Sequence, residues 1–340
     1  MQNALCPSNN ARRRRLQQGV ALAAAYLGLP LLSLPARSQT QSTWPSKALR
    51  IVVPFPPGGT TDHVTRLVAL ELARSLGQPV VVENRPGAGT VIGVDAVAKS
   101  AADGLHFVTV ANSFTANVTL VKKLPYDPLK DLRPVALMGM SEHVLATQPA
   151  SGIRSLSDLR AQALARPNSL SYASFGNGTS AHLSGAALAL HMGLNLVHVP
   201  YKGQAPALSD LLGGQVSVMF GNWPEFRTHV QSGKLVAIGM ATAKRSTYAP
   251  EIPTLAEQGV PIESNSWNGL LAPAGTPDAV VQRMNLEVNK ALSGASVVDA
   301  FRQGGIAALS GSPEQFAAFI RSEIDKYAQV IRKSGIHMDT

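Results

Sequence analysis

Cysteine is nearly missing from this 340-residue chain: Cys6 is followed by no other. Residues 7–340 therefore offer no disulfide, no thiolate nucleophile and no sulfur ligand for a metal. Aromatic residues are scarce at 5%, poor material for the stacked platforms that grip single-stranded nucleic acid. Beyond Arg12–Arg15 there is no basic run, and no repeat or low-complexity tract occurs. Also missing are a Gly-Lys-Ser/Thr phosphate loop, an H-E-x-x-H pair and a G-x-S-x-G elbow, which removes the usual nucleotide, zinc-hydrolase and serine-hydrolase signatures.

What is present is an ordinary globular balance, 45% hydrophobic and 15% charged, with length for one large domain or two lobes. The first 38 residues have the layout of a secretory signal peptide. Arg12–Arg15 form a positive start, Val20–Leu34 an apolar stretch broken by Pro30, and Ala36-Arg37-Ser38 a small-residue cleavage site. A membrane span needs about 20 apolar residues, and this stretch is shorter. Residues 1–38 hold five arginines and no acid, so their removal takes the formal charge from +9 to +4. That weak positive balance suits small anions and argues against nucleic acid.

After residue 44, short β-rich runs alternate with helical periodicity. Strands are expected at 49–53, 79–83, 105–111, 134–138, 143–147, 169–174, 196–199, 216–220, 235–240 and 266–271. Val64, Leu67, Val68, Leu72 and Leu76 share one helical face before a Gly77 stop. Ser312-Pro313-Glu314-Gln315 opens a last helix from 313 to 334. Such alternation predicts α/β architecture with mostly parallel sheets and flanking helices, and ten strands divide more naturally into two lobes than one.

Three glycine-rich loops share one design, each following a strand and leading into a helix: residues 57–62, 84–90 and 174–182. Helix-start amides and close backbone approach make such loops anion cradles. The bland reading is that Gly and Thr simply end strands and cap helices. A dinucleotide fingerprint fails in the second loop, where Ile92 stands at the third glycine position. Ser180 and His182, two apart on a helix, face different ways.

Several residues carry two readings. Asp62 either stabilises the first turn of its helix or touches a ligand through an ammonium, hydroxyl or water. His182, in another first turn, is expected neutral and is either structural or a single hydrogen-bond donor. Tyr201 and Lys202 follow the strand at 196–199 and are candidate contacts from the second lobe. Trp223 and Trp267 read as core or hinge packing more readily than as ligand platforms.

The segments WPSKALRIVVPFPPGGTTD, VVENRPGAGTVIG, SFGNGTSAHL, VPYKG with ALSDLLGGQV, and WNGLLAPAGTP occur in this order. Together they resemble the Bug family, the TctC-like periplasmic solute-binding proteins of tripartite tricarboxylate transport, from Trp44 to the C-terminus. The resemblance implies a two-lobed type II periplasmic-binding-protein fold with an interlobe cleft. It implies lobe 1 at 44–140 plus 264–340 and lobe 2 at 141–263, and no enzyme activity and no cofactor. The implied ligand is a small carboxylate: a di- or tricarboxylate, an acidic amino acid or an aromatic acid. The implied partner is a membrane permease, with the exported chain periplasmic and monomeric. Carried over residue by residue, the first cradle is Phe55, Gly58, Gly59, Thr60 and Asp62. The second is Ser174, Gly176, Gly178, Thr179 and His182, with Tyr201 and Lys202 nearby. Thr90, Ser217 and Asn222 depart from the family pattern. Thr90 is tolerable if it caps a helix; Ser217 and Asn222 leave the ligand's identity open. A ligand sensor and a hydrolase using Asp62 or His182 are the alternative functions.

Overall fold

The computed structural model describes residues 44–336, so the signal-peptide segment at 1–38 lies outside the described residues. In chain order the elements are β1 (Leu49–Val53), α1 (Thr60–Leu76), β2 (Val80–Asn84), α2 (Val91–Ala98), β3 (His106–Val110) and α3 (Asn112–Leu120). Then come β4 (Leu132–Thr147), α4 (Leu156–Ala165), β5 (Ser171–Ser174), α5 (Ser180–Met192), β6 (Val197–Pro200), α6 (Gln204–Leu212), β7 (Val218–Asn222) and α7 (Trp223–Gln231). The chain ends with β8 (Val236–Met240), β9 (Asn265–Pro273), α8 (Asp278–Leu292), α9 (Ala295–Gly304), β10 (Ile306–Ala308) and α10 (Pro313–Ser334).

The strands run in the order β2-β1-β3-β9-β4-β7-β5-β6, with β8 and β10 also paired to β4. Pairing is parallel in the outer parts, β1 with β2 and β3, and β5 with β6 and β7. It is antiparallel around β4 and β9, where the chain passes between lobes. The first half of β4 pairs β9 from Leu132↔Pro273 to Glu142↔Asn265. The second half pairs β7 from His143↔Asn222 to Ala146↔Met219. One strand therefore belongs to both sheets.

This corrects the expectation of separate strands at 134–138 and 143–147. Gly139-Met140-Ser141-Glu142 breaks the apolar run, yet its backbone stays extended because β9 and β10 bond it from both sides. Register shifts at Pro134/Ala136, Leu137/Gly139 and Leu145/Ala146 bend the strand without ending it. The three-residue β10 was not foreseen, being too short to show a period.

Each sheet is covered on both faces. Leu49 and Ile51 of β1 face α1 and α8, packing with Val64, Val68, Leu72, Met284 and Val288. Val52 faces the other way, with Val94 of α2, Phe114 of α3 and Phe316 of α10. The period of two thus reads as a strand buried on both sides. In the second sheet Tyr172, Val218 and Phe220 meet α4 and α5 through Leu159 and Leu188. Ala173 and Met219 meet α6 and α7 through Leu211 and Phe226. Helix α10 reaches both lobes: Tyr327 and Ile331 pack on Ala116 and Leu120 of α3 and on Leu183 of α5.

Local signals at the helix ends behave as expected. Gly77 adopts the left-handed conformation, φ 66° and ψ 19°, and its N–H bonds Ala73 O. Ser312 Oγ accepts from Gln315 N–H while Gln315 Oε1 accepts from Ser312 N–H, a capping box. Trp223 and Trp267 are both fully buried. Trp267 lies on β9 and donates to Glu323 Oε2 of α10 at 2.9 Å.

Gly269 of β9 has no room for a side chain, since a Cβ there would meet Phe316 Cζ at 2.1 Å. Gly269→Ala should lower the urea midpoint by an amount equivalent to about 1–3 kcal/mol, the usual penalty for overpacking. An unchanged midpoint would contradict this packing.

Candidate functional site

Five helices start at one cavity. Thr60 of α1, Asn112 of α3, Ser180 of α5, Gln204 of α6 and Asn222, which precedes α7, all line it. The first intrahelical bond of α1 is His63 N–H to Gly59 O, and of α5 Leu183 N–H to Thr179 O. The amides of Thr60–Asp62 and Ser180–His182 therefore lie ahead of the helical ladder, without partners in it. Each helix start adds a partial positive charge, typically worth 0.3–1 kcal/mol to an anion and more when buried. Among the lining residues the only full charges are Asp62 and Lys202.

Asp62 is already neutralised. It is 5% exposed, and its carboxylate accepts from Gly58 N–H at 3.1 Å, Asn84 Nδ2 at 2.9 Å and Arg66 Nε at 3.0 Å. Burial alone would raise its pKa, but these hydrogen bonds and the Arg66 charge hold it below the usual carboxylate value. Asn84 also donates to Phe55 O at 3.0 Å. The acid thus folds the first loop around itself and ties it to the second.

Across the cleft, Thr60 Oγ1 donates to Glu225 Oε1 at 2.5 Å and accepts from Asn222 Nδ2 at 2.8 Å. These bonds join the start of α1 to the start of α7. Glu225 Oε2, Asn222 Oδ1 and Gln204 Nε2 are buried without a hydrogen-bond partner. Burial raises the Glu225 pKa, and the Thr60 hydroxyl opposes part of that rise.

Behind the second cradle stand three rings. His198 stacks on His182 at 3.9 Å and on Tyr172 at 4.9 Å. His182 Nδ1 accepts from Gly178 N–H at 3.2 Å, which fixes a neutral ring. Ser174 Oγ bonds His198 Nε2 at 2.7 Å. At the crossing between lobes His143 is fully buried, with Nδ1 2.8 Å from Ser264 Oγ and Nε2 3.3 Å from Ser180 Oγ. Burial pushes His143 down to about 3, His182 to about 4 and His198 to about 3, the last helped by neighbouring His182.

Of the expected site residues, Phe55, Gly59, Thr60, Asp62, Thr179 and Lys202 line the inner cavity. Gly176 and Tyr201 line a wider outer space, and Tyr201 OH is bound to Asp210 Oδ2 at 2.7 Å. Gly58, Ser174, Gly178 and His182 stand behind the lining and set loop shape through the hydrogen bonds above. Thr90 does not cap α2: its φ of 82° turns the hydroxyl away, and Oγ1 bonds Ser113 Oγ at 3.0 Å. Ser217 exchanges hydrogen bonds with Ser171, joining the starts of β7 and β5, and does not line the cavity. Asn112, Ser113, Gln204 and Glu225 were not anticipated. The Trp-Pro-Glu start of α7 was their one local signal. Among the described residues no group of His, Cys, Asp and Glu is placed to hold a metal ion.

Residues 64–336 match the sequence model of the tripartite tricarboxylate transporter family receptor. Protein BugT of Bordetella pertussis is 39% identical over 320 residues, 93% of this chain and 96% of that protein. The structure of Rpa4515 of R. palustris with adipate is similar at a TM-score of 0.83 and 34% identity, over 86% of this chain and 99% of that one. MatC from Rhodopseudomonas palustris with bound malate gives a TM-score of 0.81 at 31% identity, over 85% of this chain and 100% of that one.

The buried neutral histidines fix a pH dependence. An unfolded chain takes up protons on histidine near pH 6.5 that the folded chain refuses until about pH 3–4. Their contribution is complete above pH 6.5 and is lost as pH falls, by about 1.4 kcal/mol per unit for each ring that stays neutral. Glu225, with its raised pKa, offsets a part. The urea midpoint should fall between pH 7 and pH 5. A constant or rising midpoint would contradict the neutral, buried rings.

Proposed function

The chain belongs to the tripartite tricarboxylate transporter receptor family, and from that membership we propose that it captures a small carboxylate in the cleft and delivers it to a membrane permease. It is a binding protein and not an enzyme. The observation that carries the ligand class is the convergence of five helix N-termini on a cavity whose only acid is occupied by Arg66, Asn84 and Gly58. A carboxylate there trades water for fixed amides and dipoles. The adipate and malate bound to two relatives support this class.

Capture proceeds by closure. Lobe 1 is inferred as residues 44–140 plus 264–340 and lobe 2 as 141–263, in keeping with the crossings at 142/143 and 264/265. The Thr60–Glu225 and Asn222–Thr60 bonds bridge these lobes, so they exist only when the cleft is shut. A ligand bound by amides of both sides favours the same state. Export to the periplasm is inferred from residues 1–38. Both cradles come from one chain, which supports a monomer as the working unit. Phe55, Gly59, Thr60, Asp62, Thr179 and Lys202 are proposed as the residues facing the ligand, with Gly58, Ser174, Gly178 and His182 as their supports.

A thermal-shift panel of mono-, di- and tricarboxylates, amino acids and nucleotides on ligand-stripped protein tests the ligand class. A carboxylate at 100 times its Kd should stabilise by about 2.7 kcal/mol. A shift with nucleotides or uncharged compounds alone would overturn the proposal. Thr60→Val should weaken the responding carboxylate about tenfold, about 1.4 kcal/mol, because Glu225 and Asn222 lose a partner only on closing. Equal affinity in the variant would remove these bonds from the closure mechanism.

A further inference from the structure

Beyond the inner cavity the cleft opens into a wider second space. Phe55 and Phe175 line both spaces, one following β1 and the other β5. Both rings are half-buried, so a ligand extending outward from the inner cavity can lie against an aromatic ring from each cradle loop. The outer walls continue apolar, with Pro86, Val121 and Pro200 among them. No Asp or Glu lines this space, whereas two lysines do, Lys123 and Lys202. Both are exposed. Among the described ion pairs, which engage Lys99, Lys130 and Lys326, neither takes part.

The outer floor is held to the inner site. Gly87, Ala88, Gly89 and Thr90 have φ of 141°, 45°, 60° and 82°, a run that only a tightly determined loop sustains. Asn117 Nδ2 fixes Gly89 O at 2.8 Å, and Thr90 Oγ1 bonds Ser113, which lines the inner cavity. The two spaces also share Phe55, Pro56, Phe175, Thr179, Lys202 and Gly203, so they form one continuous channel. Its inner end offers partial positive charge from helix starts, the stretch common to both spaces offers two aromatic rings and Lys202, and its outer part adds the full positive charge of Lys123.

We propose that the outer space is a distal subsite for the second anionic group of an elongated dianion with an apolar or aromatic body. The proximal carboxylate sits on the helix N-termini, the body lies between Phe55 and Phe175, and the distal carboxylate reaches Lys123 and Lys202. This rests on the carboxylate reading above. A four-carbon diacid keeps both groups in the inner cavity and gains nothing from Lys123. A monoacid of the same length as the dianion fills the channel and leaves Lys123 unused.

Calorimetric titration of ligand-stripped protein with suberate, octanoate and malate tests this at low ionic strength, where exposed charges act most strongly. Suberate should bind about tenfold more tightly than octanoate and more tightly than malate. Lys123→Ala should weaken suberate about threefold, the scale of one exposed charge pair, and leave octanoate unchanged. Lys123 lies outside both cradles, so the variant leaves the proximal carboxylate site intact. Suberate no tighter than octanoate, malate tighter than suberate, or equal losses for both eight-carbon acids in the variant would overturn the distal subsite. If octanoate or malate still binds in that case, the carboxylate reading stands alone. If none of the three binds, both fall.

Discussion

Five helix starts gathered at one cavity, with first-turn amides of α1 and α5 lying ahead of their helical ladders, are the constraint around which this molecule is arranged. Backbone N–H groups that have lost water must find an acceptor or leave free energy unrecovered. The topology makes their meeting unavoidable. β1, β3, β5, β6 and β7 all run parallel within their sheets and each is followed directly by a helix start. In such sheets the helix starts gather at the carboxyl ends of the strands. Joining two of these sheets through β4 turns the gathered ends toward one cavity. The proposed anion would complete the arrangement without any arginine in the lining, and Asp62 would not repel it because that charge is spent on Arg66 and the first loop.

In the proposed closure the same geometry couples binding to shape. Thr60 belongs to the first cradle yet donates to Glu225 and accepts from Asn222 of the second sheet's helix start. Asn112 lines the cavity while its side chain bonds Asn265 O, Trp267 N and Tyr327 OH. A guest at the start of α3 is therefore two hydrogen bonds from the crossing strand β9 and from α10, which packs against helices of both lobes. Nothing in this chain of contacts needs reactive chemistry. It needs only that the closed form be stabilised more than the open one.

What the sequence made legible was local. β1 at 49–53 and α10 at 313–334 were readable to the residue, the first from a short apolar run and the second from a capping box and one apolar stripe. The three glycine loops were readable as cradles because strand, glycine and helix start are adjacent in the chain. β4 was not, because its continuity comes from β9 and β10 rather than from its own residues. The pairing of Thr60 with Glu225 joins positions 165 apart, and no local pattern marks it. His182 shows the same limit from the other side. The family resemblance placed it in the second cradle, yet its ring turns back to stack on His198. Thr90 sits where a cap would be, but four consecutive positive φ values aim its hydroxyl at Ser113 instead.

The central claim is that a carboxylate shuts the cleft by engaging helix starts from both sheets. Small-angle X-ray scattering of ligand-stripped protein, without and with the carboxylate giving the largest thermal shift, tests it directly. The account predicts a smaller radius of gyration at saturation, with the change following the binding isotherm. An unchanged radius at full occupancy would show that the ligand binds without closure and would contradict the account.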